Sequence, residues 1–435
     1  MMIDEIVTDS RQKSNRALFI ALKGDRFDGH DFAQPAAACG AAAMLVHKQI
    51  DGLMCPYILV KDTTKALADL ASAKRKGFQG KVVGITGSSG KTTTRRLVHG
   101  ILAKKMNTLQ PKKNFNNHIG VPLTMLEMDD TYEAAVLELG CSDFGEIAEL
   151  AKISDPDVGL VTNVGPAHLE KLGSLDGVAR AKGELFLHMR KEGTAVMNGD
   201  DERVMSMNVQ PKRKIIYGTS ATADVRLLKR KFLGQDGQEL IMEILGKKTE
   251  IELSLLGAHN AMNALAAAAV AAALHMEPDL IREGLAEIRP ESGRLTPIFT
   301  KELQIIDDSY NANPASMRAA LDTLREMAEG GRAVAVLGDM LELGQESEAA
   351  HLEIGHKVAE LNIDILITAG KGGRTIALGA IQKGMNPKSC TTADDSAQAA
   401  FLCAALLREG DVVLVKGSRG MKMETVTAAI LKRAT

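Results

Sequence analysis

The stretch Val82-Val-Gly-Ile-Thr-Gly87-Ser88-Ser89-Gly90-Lys91-Thr92-Thr93-Thr94 decides how this chain is read. An apolar strand runs into a Gly-rich turn, and a helical pattern follows from Thr92 to about Lys105. Glycines let a backbone wrap closely around phosphate oxygens, and the N–H groups at a helix start add positive partial charge. In that setting Lys91 can reach the β- and γ-phosphates, and the Thr92 hydroxyl is placed to ligate Mg²⁺. The usual spacing, G-x-x-x-x-G-K-[ST], would put a glycine at position 85, which is Ile85. The glycine at 87 gives the compact form G-x-x-G-K-T instead. With strand before and helix after, a nucleoside triphosphate is expected at Gly87, Ser88, Ser89, Gly90, Lys91, Thr92 and Thr93.

Outward from this loop, short apolar runs alternate with helical patterns, which argues for an α/β fold with largely parallel sheets. Upstream, Leu18–Leu22, Ala43–Val46 and Tyr57–Val60 read as strands, followed by a helix over Thr64–Lys76. Downstream, Lys81–Thr86, Ala134–Leu139, Val158–Thr162 and Thr194–Met197 continue as strands. Glu239–Leu245 and Glu250–Leu255 read as a hairpin across Gly246-Lys-Lys, before an Ala-rich helix at Ala258–Leu274. A linker is expected from Arg289-Pro290 to Pro297. A second doubly wound unit then follows, with strands at Gln304–Ile306, Ala333–Leu337, Asp364–Thr368 and Val412–Lys416. The expected division is 1–79, 80–296 and 297–435, in line with about three domains for this length.

The chain has 435 residues, 45% hydrophobic and 25% charged, which is ordinary for a globular protein with sizeable cores. Its 53 basic and 55 acidic residues leave a net charge of -2, so no global field attracts nucleic acid or a membrane surface. No Trp, four Tyr and ten Phe leave little material for a base-stacking platform. Five scattered cysteines without C-x-x-C read as reduced thiols, not as a disulfide framework or zinc site. The Ala-rich helix is interrupted by His259, Asn260 and Asn263, so it reads as a close-packed helix and not a membrane span. The N-terminus lacks a basic region followed by an apolar core, so no signal peptide and a cytoplasmic location are expected.

A phosphate loop leaves kinase, switch, motor and ligase open. Glu138 closes a strand immediately before Leu139-Gly140, the place for an acidic group facing the loop. His168 lies in Thr162-Asn-Val-Gly-Pro-Ala-His168-Leu-Glu170 after the next strand, and Lys182 sits in Ala181-Lys182-Gly183-Glu184 on a helical pattern. Singly each has a bland reading; together, at strand ends on one sheet edge, they point to a site.

The loop, Glu138-Leu-Gly, Thr162–Glu170 and Ala181-Lys-Gly-Glu together resemble the Mur ligases, ATP-dependent enzymes that add amino acids to a nucleotide-linked peptidoglycan precursor. The resemblance continues through Leu256-Gly-Ala-His259-Asn260-Ala-Met-Asn263, Gly293-Arg294-Leu and Asp307-Asp308-Ser-Tyr310-Asn-Ala-Asn313-Pro314, and so covers nearly the whole chain in order. It implies a small N-terminal α/β domain, a central P-loop domain and a C-terminal Rossmann-like domain. It further implies that Lys91 holds the transferring γ-phosphate and that Thr92 and Glu138 coordinate one Mg²⁺. His168 would ligate a second Mg²⁺ together with Lys182, which is carbamylated in the family. His259, Asn260, Asn263, Arg294 and Asp308 would contact ATP.

Asn116-Asn117-His-Ile-Gly-Val-Pro, Asp308–Pro314, Gly338-Asp339-Met-Leu-Glu-Leu-Gly344 and Lys416-Gly-Ser-Arg419 are most similar to the family member that joins D-alanyl-D-alanine to UDP-N-acetylmuramoyl-tripeptide. That activity implies an acyl-phosphate intermediate and a monomeric enzyme without nucleic-acid or membrane partners. The alternatives are the diaminopimelate- or lysine-adding member, another amide ligase of the superfamily, or a nucleotide-switched binding module. Thr8-Asp9-Ser10-Arg11, Lys23-Gly24 and Asp28-Gly29-His30 resemble the UDP-sugar site, so Ser10, Arg11, Lys23, Gly29, His30, Asn116 and Asn117 are expected to contact that substrate. Two departures stand out. Asp9 lies nearer the start than is usual, so an initial helix is expected to be missing. Cys141-Ser142 replace the usual Ala-Asn, which puts any contact by that Asn in doubt.

Overall fold

The computed structural model describes residues 3–13, 15–24, 27–112 and 114–433. Among them, three sheets follow one another along the chain. The first is four-stranded and all parallel: Glu5–Val7, Ala17–Ile20, Ala41–Val46 and Tyr57–Leu59. The helix Thr63–Gly77 leaves it, started by Asp62, whose carboxylate accepts from the Thr64 and Lys65 amides. Arg75 near its end is buried and donates to the Ser154 and Asp155 carbonyls and to Asp157, tying this unit to the next sheet.

The second sheet has nine strands. Its parallel part runs Arg213–Gly218, Thr194–Asn198, Val158–Val161, Lys81–Thr86, Ala134–Glu138, Thr108–Leu109. Strand Lys81–Thr86 lies between Val158–Val161 and Ala134–Glu138, so their C-terminal ends share one edge of the sheet. The other end is extended by Val225–Phe232 and a hairpin of Gln238–Ile244 with Lys247–Leu253. The hairpin is longer than its sequence suggests. Lys247 and Lys248 pair within it, and the turn is Leu245-Gly246, both at positive φ (47° and 82°), as a tight hairpin turn demands.

Besides the two-residue edge strand Thr108–Leu109, two strands of this sheet have no counterpart in the sequence reading, Arg213–Gly218 and Val225–Phe232. The second is dense with Arg and Lys, which hides its apolar side. The Ala-rich helix, observed at Ala258–Ala273, is buried along almost its whole length against this sheet and the helix Lys91–Leu102. Small side chains allow that close approach.

The third sheet runs Thr296–Phe299, Gln304–Asp308, Val412–Lys416, Ala333–Gly338, Ile365–Ala369, Cys390–Ala393. It is parallel except for its first pair. Pro297, read from sequence as linker, lies in that first strand. An edge position needs no N–H there, so the proline is tolerated. No helix among the described residues is long and apolar enough to cross a membrane.

Candidate active site

The loop after Lys81–Thr86 is shaped by two glycines at positive φ, Gly87 at 148° and Gly90 at 78°. A Cβ on Gly90 would stand 2.4 Å from Asn263 Oδ1, and one on Gly87 only 1.8 Å from Thr162 Oγ1. Neighbouring groups fasten the loop: the Ser89 amide donates to Asn163 Oδ1 (3.1 Å), Ser88 Oγ donates to the Gly165 carbonyl (2.9 Å), and Thr162 Oγ1 donates to the Ser89 carbonyl (2.7 Å). Lys91 folds back onto the loop, its Nζ donating to the Gly87 carbonyl at 2.7 Å. Burial, and then the nearby Lys182 charge, push the Lys91 ammonium down to about 8.

Glu138, 3% exposed, ends its strand beside the loop. Its Oε2 accepts from Thr92 Oγ1 (2.9 Å) and its Oε1 from Asn116 Nδ2 (3.0 Å), while Arg95 Nε lies 3.9 Å away. Asn117 works locally instead, its Oδ1 accepting the Ile119 and Gly120 amides at the start of the helix Gly120–Leu126.

Lys182, on the helix Leu175–His188, is 1% exposed, and its Nζ reaches Cys141 Sγ at 3.5 Å. The neighbouring Ser142 amide donates to Glu146 Oε2 at 2.6 Å. His168 precedes the short helix Leu169–Leu172 in a left-handed conformation, and its Nδ1 lies 3.1 Å from Glu342 Oε2. Burial holds its imidazole below the ordinary histidine value, with the Lys182 and Lys91 charges adding to the effect and Glu342 opposing it.

The third sheet contributes the opposite wall. Arg294 Nη2 donates to Thr92 Oγ1 at 3.3 Å, and its guanidinium lies 4.1 Å from the Tyr310 ring centroid. Asp308 is buried, accepting from Lys416 Nζ (2.6 Å) and the Leu295 amide (3.1 Å); burial raises its carboxyl, against the opposing pull of Lys416. At the start of the Ala-rich helix, Asn263 Nδ2 donates to Asn260 Oδ1 (2.9 Å), and burial pushes His259 down to about 4. Lys91, Thr92, Glu138, His168, His259, Asn260, Asn263, Arg294 and Asp308 line one cleft of about 1060 Å³, from Ser88 to Lys416, while Lys182 does not line it and touches it through Cys141.

Ser10, Arg11, Lys23, Gly29 and His30 belong to the first unit and do not line this cleft. Arg11 is exposed and paired bidentately with Asp9. Gly29 packs so tightly that a Cβ would sit 2.7 Å from the Leu22 backbone. His30 is buried with both ring nitrogens occupied: Nδ1 against Asp28 Oδ1 (2.6 Å), and Nε2 accepting the His47 amide (2.9 Å).

Three family models match in order: the Mur ligase family catalytic domain at residues 2–75, the Mur ligase middle domain at 85–271, and the Mur ligase glutamate ligase domain at 293–419. The Escherichia coli UDP-N-acetylmuramoyl-tripeptide–D-alanyl-D-alanine ligase is 40% identical over 100% of this chain and 95% of its own length. The chain belongs to the Mur ligase family. Its Bacillus subtilis relative of the same name is 37% identical over 99% of this chain and 94% of its own. Among solved structures, MurF from Acinetobacter baumannii superposes with a TM-score of 0.91 at 33% identity, over 99% of this chain and 94% of that one. MurF ligase from Thermotoga maritima in complex with ADP gives 0.88 at 30% identity, over 99% and 97%. The fold is the three-domain α/β architecture of the Mur ligases.

Within this Mur ligase cleft, sequence reasoning singled out Lys91, Thr92, Glu138, His168, His259, Asn260, Asn263, Arg294 and Asp308, and beside it Lys182, which meets the lining residue Cys141. It passed over several partners: Arg95 beside Glu138, Asn163 under the loop, Tyr310 under Arg294, Lys416 on Asp308 and Glu342 on His168. Lys416 had a signal, a cation ending a strand that is otherwise all Val and Leu. Glu342 had only its place in the Gly338–Gly344 segment.

Proposed function

We propose that this Mur ligase joins D-alanyl-D-alanine to UDP-N-acetylmuramoyl-tripeptide with ATP hydrolysed to ADP and phosphate, a step of peptidoglycan precursor synthesis. The observation that carries the reading is full-length likeness to relatives named for that reaction, on a chain whose phosphate loop faces Arg294 and Asp308 across one cleft. The terminal carboxylate of the tripeptide attacks the γ-phosphorus of ATP, releasing ADP and leaving an acyl phosphate. The amine of the dipeptide attacks that carbonyl, phosphate leaves, and an amide remains. Activation is needed because oxide is a poor leaving group and phosphate a far better one.

The side chains divide this work. The loop amides and Lys91 take the phosphates, Lys91 exchanging the Gly87 carbonyl for the γ-phosphate. His259, Asn260, Asn263, Arg294 and Asp308 hold the nucleotide between the second and third sheets. The residues fit a hard cation at Thr92 and Glu138: a hydroxyl and a buried carboxylate 2.9 Å apart, with the Arg95 guanidinium 3.9 Å from that carboxylate. When bound there, Mg²⁺ would offset charge spreading onto the phosphoryl oxygens.

A second Mg²⁺ at His168 would face Lys182 as well. As an ammonium, Lys182 is a buried cation with a thiol for a partner, close enough to Lys91 and His168 to lower both. Carbamylation turns it into an anion, which fits both the metal and its cationic neighbours. The first unit, 1–79, takes the UDP-sugar through Ser10, Arg11, Lys23 and the Gly29–His30 turn, with His30 shaping that turn rather than offering a free nitrogen. Asn116 and Asn117 would meet the same substrate from the rim of the cleft. Nucleotide-linked substrates assign the reaction to the cytoplasm.

The test is phosphate release from ATP with UDP-N-acetylmuramoyl-tripeptide and one amine at a time. D-alanyl-D-alanine is expected to support release and a product of matching mass. Release with lysine or diaminopimelate on the dipeptide precursor alone moves the chain to a neighbouring branch. Nucleotide binding without substrate-dependent release makes it a binding module.

A further inference from the structure

The segment Gly338–Gly344 reaches out of the third sheet to touch the central one, and the structure gives it an unusually firm build. The Met340 amide donates to His351 Nε2 (2.9 Å), and His351 Nδ1 in turn donates to the Ser347 carbonyl (2.6 Å). The Leu341 amide donates to Ser418 Oγ at 2.9 Å. Met340 and Leu343 are buried on either side of the tip. Gly344, at φ 56°, approaches the central unit so closely that a Cβ would sit 3.3 Å from Glu170 Cα.

What this scaffold presents is Glu342, at φ 64°, with its Oε2 3.1 Å from Nδ1 of His168, itself at φ 52°. A left-handed backbone is uncommon outside glycine and persists where its surroundings over-determine it. Here two such residues from different sheets meet side chain to side chain, at the rim of the cleft. A metal-ligating histidine generally donates its other ring N–H to a carboxylate, which fixes its tautomer and orientation.

We propose that Glu342 is a positioning residue for His168: its carboxylate accepts the Nδ1–H, keeps the Nε2 lone pair free, and supplies this only while the third sheet is docked against the central one. Docking of the C-terminal unit thereby completes the imidazole that the central unit alone leaves unoriented. The inference rests on the assignment of His168 to the site. Because the Glu342 side chain is 70% exposed, its effect is modest, about fivefold on turnover.

The experiment uses the full chain with ¹⁵N-labelled histidine side chains, His168 being assigned by the signal that His168→Gln removes. In the wild type its ring nitrogens are expected to report the Nδ1–H tautomer. Glu342→Ala should shift them towards the Nε2–H form and lower kcat about fivefold, with the KM for ATP nearly unchanged. Glu342→Gln, which keeps an acceptor oxygen, should retain the tautomer. Glu326→Ala breaks a different contact between the same two units, the bidentate Arg230–Glu326 pair at 2.8 and 2.7 Å, and should leave the His168 signals in place. Unchanged His168 signals in Glu342→Ala overturn the proposal, as does an equal shift in Glu326→Ala, which would mean that docking alone is sensed. Full activity of His168→Gln defeats the site assignment itself, a separate outcome.

Discussion

Replacing Lys91 by Met should make the ligand-free protein more stable while abolishing its reaction. The ammonium is held against a loop carbonyl, and burial, then the nearby Lys182 charge, lower its pKa from 10.5 to about 8. At roughly 1.4 kcal/mol per pH unit the upper limit of that cost is about 3 kcal/mol at neutral pH. Water in the cleft screens part of it, and the Gly87 carbonyl loses its donor. A net gain of about 1 to 2 kcal/mol for the variant is therefore expected, or a few degrees in the melting temperature of the central unit. Met keeps the length of the stem, so packing changes little.

The pH dependence identifies the cause. Between about 8 and 10.5 the unfolded chain holds a proton that folded Lys91 has already released, so wild-type stability gains from this group as pH rises through that window. The variant has no such gain, and its advantage at pH 7 should shrink steadily towards pH 9.5. Urea unfolding of both proteins at four or five pH values measures it, and saturating ATP with Mg²⁺ should reverse their order. A variant that is less stable at pH 7, or an advantage that does not change with pH, refutes the electrostatic account.

Lys182→Ala should lose at least about 100-fold in ligation rate and regain part of it with added short carboxylic acids at constant ionic strength; undiminished activity would end the carbamate proposal. Gly90→Ala sets a Cβ 2.4 Å from Asn263 Oδ1 at φ 78°, so it should cost about 2 kcal/mol in unfolding free energy and remove detectable ATP binding by calorimetry. His259 is neutral in the fold down to about 4, so it contributes stability that is complete above 6.5 and lost as pH falls from 6.5 to about 4. His259→Gln should flatten the acid limb of the stability profile in that window by about 1 kcal/mol, read from thermal unfolding.

The phosphate loop could be read in full because everything it needs is local: a strand, glycines at the tight positions, then Lys91 and Thr92 opening a helix. Glu138 was readable for the same reason, as an acid where an apolar strand ends. The strand Val225–Phe232 was not, since its Arg and Lys residues mask the alternation that pairing requires. Lys416 on Asp308, Arg294 on Thr92 and Glu342 on His168 each join residues more than 100 positions apart. No periodicity records which strand end will face which. His30 shows the converse: a histidine in a motif-like turn suggests a ligand contact, yet in the fold Asp28 and the His47 amide occupy both its nitrogens.

A net charge of -2 over the whole chain conceals a cleft that gathers cations. Burial first, and then Lys182 and Arg294, lower Lys91 against the pull of Glu138; burial, and then Lys182 and Lys91, lower His168 against Glu342, so the cations repel one another in the ligand-free protein. Glu138 is committed to Thr92 and Asn116, and Glu342 reaches only the rim. The repulsion has two remedies, a polyphosphate in the cleft and an anionic carbamate on Lys182, and because both are anions drawn to the same cations, each lessens the need for the other. Without Mg²⁺, carbamylation should therefore be disfavoured by bound nucleotide, and nucleotide should bind less tightly to the carbamylated chain, because coupling between two sites is reciprocal. ATP affinity measured without Mg²⁺, with and without added bicarbonate, tests this directly: a fall with bicarbonate that is absent in Lys182→Ala is expected, and equal affinities in the wild type would show that the two charges do not communicate.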